Sequence, residues 1–451
     1  MTGAPRDSTA GALLVAAAAL SSSLVTAIST PPFHAFDEQS HFDYAQRLAE
    51  ALALPSRTVR CPVGSGSAEA VGLYEVLLMR TGSGPMPPLD SYRAPTGPGS
   101  RQTSGCSSAT QYCPLYYVSA AATYRVAYAG TVFQRLFAAR MASVLWGVLG
   151  ALAAFLLGRW WFRSAADGIL IGLLVALHPM VVFLSGVVNN DSAMLALSTS
   201  CLAAIASLLR AGDKRRSLVA LGVAVALGSL TKYTFLVAAP FFFVLCVAVL
   251  GIGQLRSWGL AAAAFLPGAA LAAAWGAYSH PATELVRAVL PQLGPLDYLR
   301  SYAFDWQRAR EIWHYEFWMK WGLLDVRLPL RYYRLIGAVL AIAGAGLAIG
   351  WPRLDREERG LAVLTILGTA YVMAALYALE FHLVRRTGYS LLQGRYLLPL
   401  YPAHACAIVI GIRALGRRLA LPIDCAWSAV ALLACVQAAS VASLLLRFYY
   451  A

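Results

Sequence analysis

The sequence predicts an all-α polytopic membrane protein, and three observations carry that prediction. Of 451 residues, 59% are apolar and 13% charged, about half the charged share of a soluble globular chain. Stretches close to the roughly 20 apolar residues that a bilayer span needs recur almost from end to end. Lys and Arg gather on alternate connections between those stretches, as the positive-inside rule requires. The same composition excludes disordered, collagenous and small disulfide-stapled chains. The net charge of +14, from 36 Lys+Arg against 22 Asp+Glu, is therefore a matter of topology and not a nucleic-acid footprint.

Taken in order, spans are expected near 11–29, 137–158, 168–188, 192–209, 218–230, 235–252, 258–278, 335–351, 360–379, 396–412 and 425–446, about eleven in one domain covering 1–451. With the N-terminus inside, the inner segments carry Arg6, Arg159, Arg163, Arg210, Lys214, Arg215, Arg216, Arg256, Arg353, Arg356, Arg359, Arg413, Arg417 and Arg418. The short outer segments hold only Lys232, Arg385, Arg386, Arg395 and Arg447. This bias sets the N-terminus inside and the C-terminus outside. The first apolar segment lacks a strong basic flank and a small-x-small cleavage site before Pro31, so it reads as a retained span.

Two outer segments, 31–135 and 279–334, are too long to be mere connectors. In the first, Phe42, Ala45, Leu48, Ala49 and Leu52 recur at helical spacing, which predicts an amphipathic helix lying at the interface. The Gly-, Pro-, Ser- and Thr-rich stretch over 81–110 predicts an exposed flexible excursion. Tyr116, Tyr117 and Tyr124 then suit the headgroup belt. In the second, WHYEFWMKWGLLDVRLP brings Trp313, Tyr315, Phe317, Trp318 and Trp321 together, which predicts a membrane-surface element with aromatic faces fit for sugar rings or an isoprenoid tail.

Cys201, Cys246, Cys406, Cys425 and Cys435 fall in or at spans and read as small apolar residues. Cys61, Cys106 and Cys113 are exterior, where disulfides persist. A Cys106–Cys113 bridge is favoured, with Cys61 pairing to either as the rival.

Polar residues beside the outer ends of spans are the candidates for chemistry. Asp37 and Glu38, flanked by His34 and His41, follow the first span directly. Adjacent acids there can offer one carboxylate as a general base and another to orient a hydroxyl or bind a cation. The alternative is two solvated surface acids. Asn189, Asn190 and Asp191 sit in a minimal turn, where Asp191 caps the next helix, completes a polar site, or does both. Lys232 is the lone cation between Ser217 and Arg256, and it either snorkels or pairs with an anion. Arg395, in QGRYLLPLYP, either anchors the interface together with Tyr396 or offers a bidentate fork to phosphate, with Gly394 permitting close approach.

No phosphate-cradling Gly-rich loop, HExxH, Cys-rich metal pattern or GxSxG is present, and no two-halves repeat is evident. Nucleotide-driven and zinc chemistry are not indicated, and transport loses ground.

The stretches PPFHAFDEQSHFDYA, CPLYY, VNNDSA, LTKYT, FWMKWGLLDVRLP and QGRYLLPLYP, in that order, resemble the GT-C superfamily of polytopic glycosyltransferases, most closely a bacterial family of membrane proteins within it. The resemblance implies a GT-C-like fold in the bacterial cytoplasmic membrane with an active site facing the extracytoplasmic side. It also implies a polyprenyl-phosphate-sugar donor and a glycan or lipid-linked acceptor. By analogy Asp37 is the catalytic base with Glu38 beside it and Asp191 as the second acid. Lys232, Arg395, Gln393 and Tyr396 then contact the donor phosphate, and His41, Tyr116, Tyr117, Trp318 and Trp321 contact substrate. A divalent cation, if one is used, would sit at Asp37, Glu38 and Asp191. The sequence departs from the commoner pattern, which has Pro between Phe36's position and the acid pair or just after it, where Gln39 follows here, and at Cys113, where His or Pro is more usual. The competing function is a transporter or flippase of lipid-linked saccharides, distinguished by making no new glycosidic bond.

Overall fold

The computed structural model describes residues 4–54, 67–73, 99–102, 108–210, 213–279, 289–390 and 392–450. Helix follows helix: α1 (Ala4–Ser29), α2 (Glu38–Ala51), α3 (Leu115–Val126), α4 (Val132–Phe162), α5 (Ala165–Ala176), α6 (Pro179–Ser185) and α7 (Asp191–Arg210). There follow α8 (Lys214–Ser229), α9 (Tyr233–Leu250), α10 (Leu255–Ser279), α11 (Leu330–Gly350), α12 (Arg356–Thr387), α13 (Tyr401–Arg418) and α14 (Trp427–Leu445). Each span expected from the sequence overlaps helix, that at 168–188 as the broken pair α5 and α6. Among the described residues nine helices are long and apolar enough to cross a membrane, and α5 with α6 makes a tenth if the bent pair is one span. The expected count of eleven is not reached because α8 has 16 residues, about 24 Å of rise against a hydrocarbon core of about 30 Å.

The bend between α5 and α6, 69°, has a local cause. Pro179 opens α6, and the residue before a proline is driven out of the helical region. His178 is extended there, with φ −65° and ψ 119°. The chain therefore turns short of the far side and delivers the Asn189–Asp191 turn into the protein interior. α7, buried along almost its whole length, packs against α4 and α8 at the centre of the bundle.

The two ends of the bundle differ. At one, α5, α7, α12 and α13 end or begin in surface ion pairs: Arg210 with Glu357, Arg413 with Asp167 and Asp424, and Arg417 with Glu358. This is the end to which the charge bias assigns the cytoplasm. The other end carries both long connections.

Three expectations about those connections are corrected. α2 does not lie on a surface: Phe42, Tyr44 and Ala45 are buried, and so are Glu38, Gln39, His41, Asp43 and Gln46. Its polar face meets polar partners from the same connection. Gln46 donates to Glu69 at 2.7 Å, Glu69 pairs with Arg135 at 2.6 Å, and Tyr124 donates to Glu50 at 2.7 Å. Likewise Trp318 and Trp321 are core residues and not a membrane-surface face, exposed by 5% and 0%. Trp321 sits in a two-residue hairpin, β1 (Lys320–Trp321) against β2 (Val326–Arg327). It stacks on Phe183 at 5.3 Å and donates to the Pro179 carbonyl. The stretch 81–110 falls largely outside the described residues, as do Cys61 and Cys106. Cys113 is a free, buried thiol that donates to the Ser229 carbonyl, so the bridge expected at Cys113 is not formed.

Candidate functional site

Four separate stretches of chain meet at the end of the bundle that carries the two long connections. Asp37 caps the start of α2 in the left-handed conformation, φ 53° and ψ 16°, which a carboxylate side chain tolerates better than most. Asp191 opens α7, its backbone N–H donating to Asn189 Oδ1 at 2.8 Å. Lys232 occupies the turn before α9. Arg395 lies in a 3₁₀ turn, Gly394–Leu400, that leads into α13.

The geometry is a charge cluster with its cations at the core. Lys232 Nζ donates to Asp191 Oδ1 at 2.7 Å. Arg395 Nε lies 3.4 Å from Asp191 Oδ2, and Arg395 Nη2 lies 3.8 Å from Asp37 Oδ2. Lys232, Asp191 and Arg395 are almost entirely buried, whereas the Asp37 side chain is 67% exposed. Aromatic faces complete the lining: Phe36 under the Arg395 guanidinium at 4.3 Å, and Tyr112 and Tyr396 each 5.5 Å from Lys232 Nζ.

Several buried polar atoms here have no hydrogen-bond partner: Arg395 Nε and Nη1, Asp191 Oδ2, Gln393 Oε1 and both amide atoms of Asn190. Leaving a buried donor or acceptor unmet costs about 1–3 kcal/mol each. Such a concentration of unmet donors and acceptors beside two cations makes this cluster the candidate site.

Gly394 positions Arg395. A Cβ there would stand 2.2 Å from the Ile312 carbonyl oxygen, so only glycine lets the 3₁₀ turn press against the second long connection. Its N–H donates to Glu316 at 3.1 Å. His34 joins the two connections from the other side, bonded to Asp325 at 3.0 Å.

The remaining candidates divide. His41, one turn beyond Asp37, shares a 2.7 Å hydrogen bond with the Tyr117 hydroxyl. Burial pushes its imidazole down to about 4, with Asp37 opposing, so it is neutral at pH 7. Tyr117 stacks on Tyr44 at 3.8 Å, and Tyr116 bonds Ser143 and the Asn189 N–H, so both form the layer behind the site. Glu38 is not beside Asp37 in the cluster. Both its oxygens are taken by Arg140, at 2.8 and 2.7 Å, and one also accepts from the Val188 N–H. Among the described residues no three His, Cys, Asp or Glu side chains are grouped to hold a metal ion, and the three carboxylates named for one do not converge. Sequence reasoning passed over Arg140, although an arginine inside a predicted span is itself a signal, and it passed over Tyr112.

Past Arg395 the 3₁₀ turn and α13 border an apolar cavity of about 590 Å³. Leu397 and Tyr401 line it from the site side, with Trp318, Met373, Ile366 and His404 beyond.

Comparison with known proteins gives three results. No curated protein sequence matches this chain. Two solved structures of ArnT from Cupriavidus metallidurans are similar. The apo form has 15% identity and a TM-score of 0.47 over 91% of this chain. The form bound to undecaprenyl phosphate has 13% identity and a TM-score of 0.48 over 90% of this chain. In each case the match covers 62% of the ArnT chain. Residues 20–403 match the DUF2142 pattern, and the chain belongs to that family of predicted membrane proteins.

Proposed function

We propose that this protein is a membrane glycosyltransferase of GT-C type that moves a sugar from a polyprenyl-phosphate donor to an extracytoplasmic acceptor, with inversion. The observation that carries the reading is Arg395: a buried guanidinium with two unmet donors, adjoining Lys232 and within 4 Å of an exposed carboxylate, Asp37. The donor phosphate occupies Arg395 and Lys232, and its isoprenoid chain runs into the apolar cavity that begins at Leu397.

In the proposed step Asp37 accepts the proton of the acceptor hydroxyl. That oxygen bonds to the anomeric carbon as the carbon–oxygen bond to phosphate breaks. The polyprenyl phosphate leaves with the bonding electrons, and its added negative charge falls on Lys232 and Arg395. Such preorganised stabilisation is worth several kcal/mol, on the order of 3 per well-placed donor. The transition state is oxocarbenium-like, as in other glycosyl transfers. Asp37 suits the base because it alone among the cluster's carboxylates is exposed to an arriving acceptor. Asp191, buried and paired with Lys232, serves instead to hold the cations, and Glu38 holds the connection through Arg140.

The test uses purified full-length protein with a synthetic polyprenyl-phosphate sugar. Asp37→Asn should lower transfer about 10²–10⁴-fold with the melting temperature unchanged. Retained turnover removes Asp37 from the role, and scrambling of labelled lipid without a new glycosidic bond makes the protein a flippase.

A further inference from the structure

At the opposite end of the bundle a second kind of site is built between α8 and α10. Both helices begin there, so they run side by side in the same direction, touching where Gly222 meets the Ala264 backbone. Between them lies a cavity of about 570 Å³. Lys214, Arg215 and Arg256 line its mouth, and among the described residues no carboxylate lines it. The nearest acid in sequence, Asp213, is already committed: it caps α8 and pairs with Arg216 at 3.0 Å. Below the mouth the lining turns apolar, with Leu218 one turn past Lys214, then Leu260 and Pro267 one and three turns past Arg256.

We propose that this cleft binds one anionic diacyl phospholipid of the leaflet on the basic side, its phosphate on Lys214, Arg215 and Arg256 and an acyl chain along Leu218, Leu260 and Pro267. Two quantities fit. The 11 residues from Arg256 to Pro267 rise about 16 Å, close to half the roughly 30 Å hydrocarbon core, which is the depth of one leaflet. Three cations without an acid form a net positive mouth, the arrangement of basic pockets that take anionic headgroups. A neighbouring cavity of about 560 Å³ shows what such a mouth is not: Asp167, Asp355, Glu357 and Glu358 line it alongside its five arginines, and Arg210, Arg413 and Arg417 are paired with Glu357, Asp167 and Glu358. The helices also leave the groove open to lipid, with only 17% of the α10 span buried.

The experiment is native mass spectrometry of the full-length protein in detergent with equal phosphatidylglycerol and phosphatidylcholine. The wild type should retain one phosphatidylglycerol, at least fivefold in preference to phosphatidylcholine. The triple variant Lys214→Gln, Arg215→Gln, Arg256→Gln should lose that preference. Leu260→Trp, which fills the groove and leaves the charges, should lose the bound lipid as well, and millimolar inorganic phosphate should not displace it from the wild type. The double variant Arg163→Gln, Arg356→Gln at the acid-lined cavity should change nothing. Equal retention of the two lipids, retention by the Leu260→Trp variant, displacement by phosphate, or an equal loss in the Arg163/Arg356 variant would each overturn the proposal. If the triple variant does not fold, the Leu260→Trp result decides.

Discussion

Two arginines at the same end of the molecule, Arg140 and Arg395, are buried alike, at 3% and 4% exposure. Their hydrogen bonding differs completely. Arg140 spends all its donors: Nε and Nη2 on Glu38, Nη1 on the carbonyls of Ala27 and Thr30, and Nη2 again on Pro31. Arg395 leaves Nη1 without a hydrogen bond, and its Nε has only an ion-pair contact with Asp191 at 3.4 Å. A guanidinium that is fully spent is a clamp; it ties α1, the start of α2 and α4 into one corner. A guanidinium left unspent, at a cost in stability, is under the proposed function the one that bonds the donor phosphate. Burial and residue type are the same in both, so the satisfaction of donors is what separates framework from site.

The comparison breaks most visibly at the clamp. Arg140→Met leaves Glu38 charged and buried, which should cost about 3–5 kcal/mol, read as a large drop in melting temperature or loss of folded protein. Arg140→Met with Glu38→Leu should recover much of that stability. Arg395→Met should behave in the opposite way. It removes unmet donors and only the long 3.4 and 3.8 Å contacts to Asp191 and Asp37, and Lys232 still pairs with Asp191, so the melting temperature should move by no more than a few degrees. Transfer, by contrast, should fall about 10²–10³-fold. A destabilisation equal to that of the Arg140 variant would make Arg395 a clamp too.

Smaller effects sharpen the picture through pH, at two groups on α2 whose signs oppose. Burial pushes the Asp43 carboxyl up from 3.8 to about 7, both oxygens lacking partners. The folded state therefore holds a proton that the unfolded state has lost, and this group's contribution to stability falls as pH rises from about 4 to about 7. Asp43→Asn should abolish that fall in melting temperature. His41, pushed down from 6.5 to about 4, works the other way: its contribution rises with pH across about 4 to 6.5. His41→Gln should flatten that rise.

How far the sequence reaches is clear from the same residues. The helices were legible because apolar runs of span length leave few alternatives, and the bend after His178 was not, because hydropathy is blind to direction. Asp191, Lys232 and Arg395 were each recognisable as polar groups at span ends, and the structure brings all three together. Asp37 and Glu38 are neighbours in sequence, and nothing in a dipeptide says which acid turns inward. The left-handed backbone at Asp37 sends the two carboxylates to different partners. Trp318 and Trp321 look like interface aromatics by composition, but their partners, His178 and Phe183, come from the turn and helix after the bend that the sequence did not foretell. Arg140 was hidden in a predicted span whose hydropathy one cation scarcely lowers.

The most direct measurement of the central claim is thermal stabilisation of purified protein by a synthetic polyprenyl phosphate, compared between wild type and Arg395→Met. The unspent donors of Arg395 predict a concentration-dependent rise in melting temperature for the wild type and little or none for the variant. An equal rise in both would mean that the phosphate binds elsewhere.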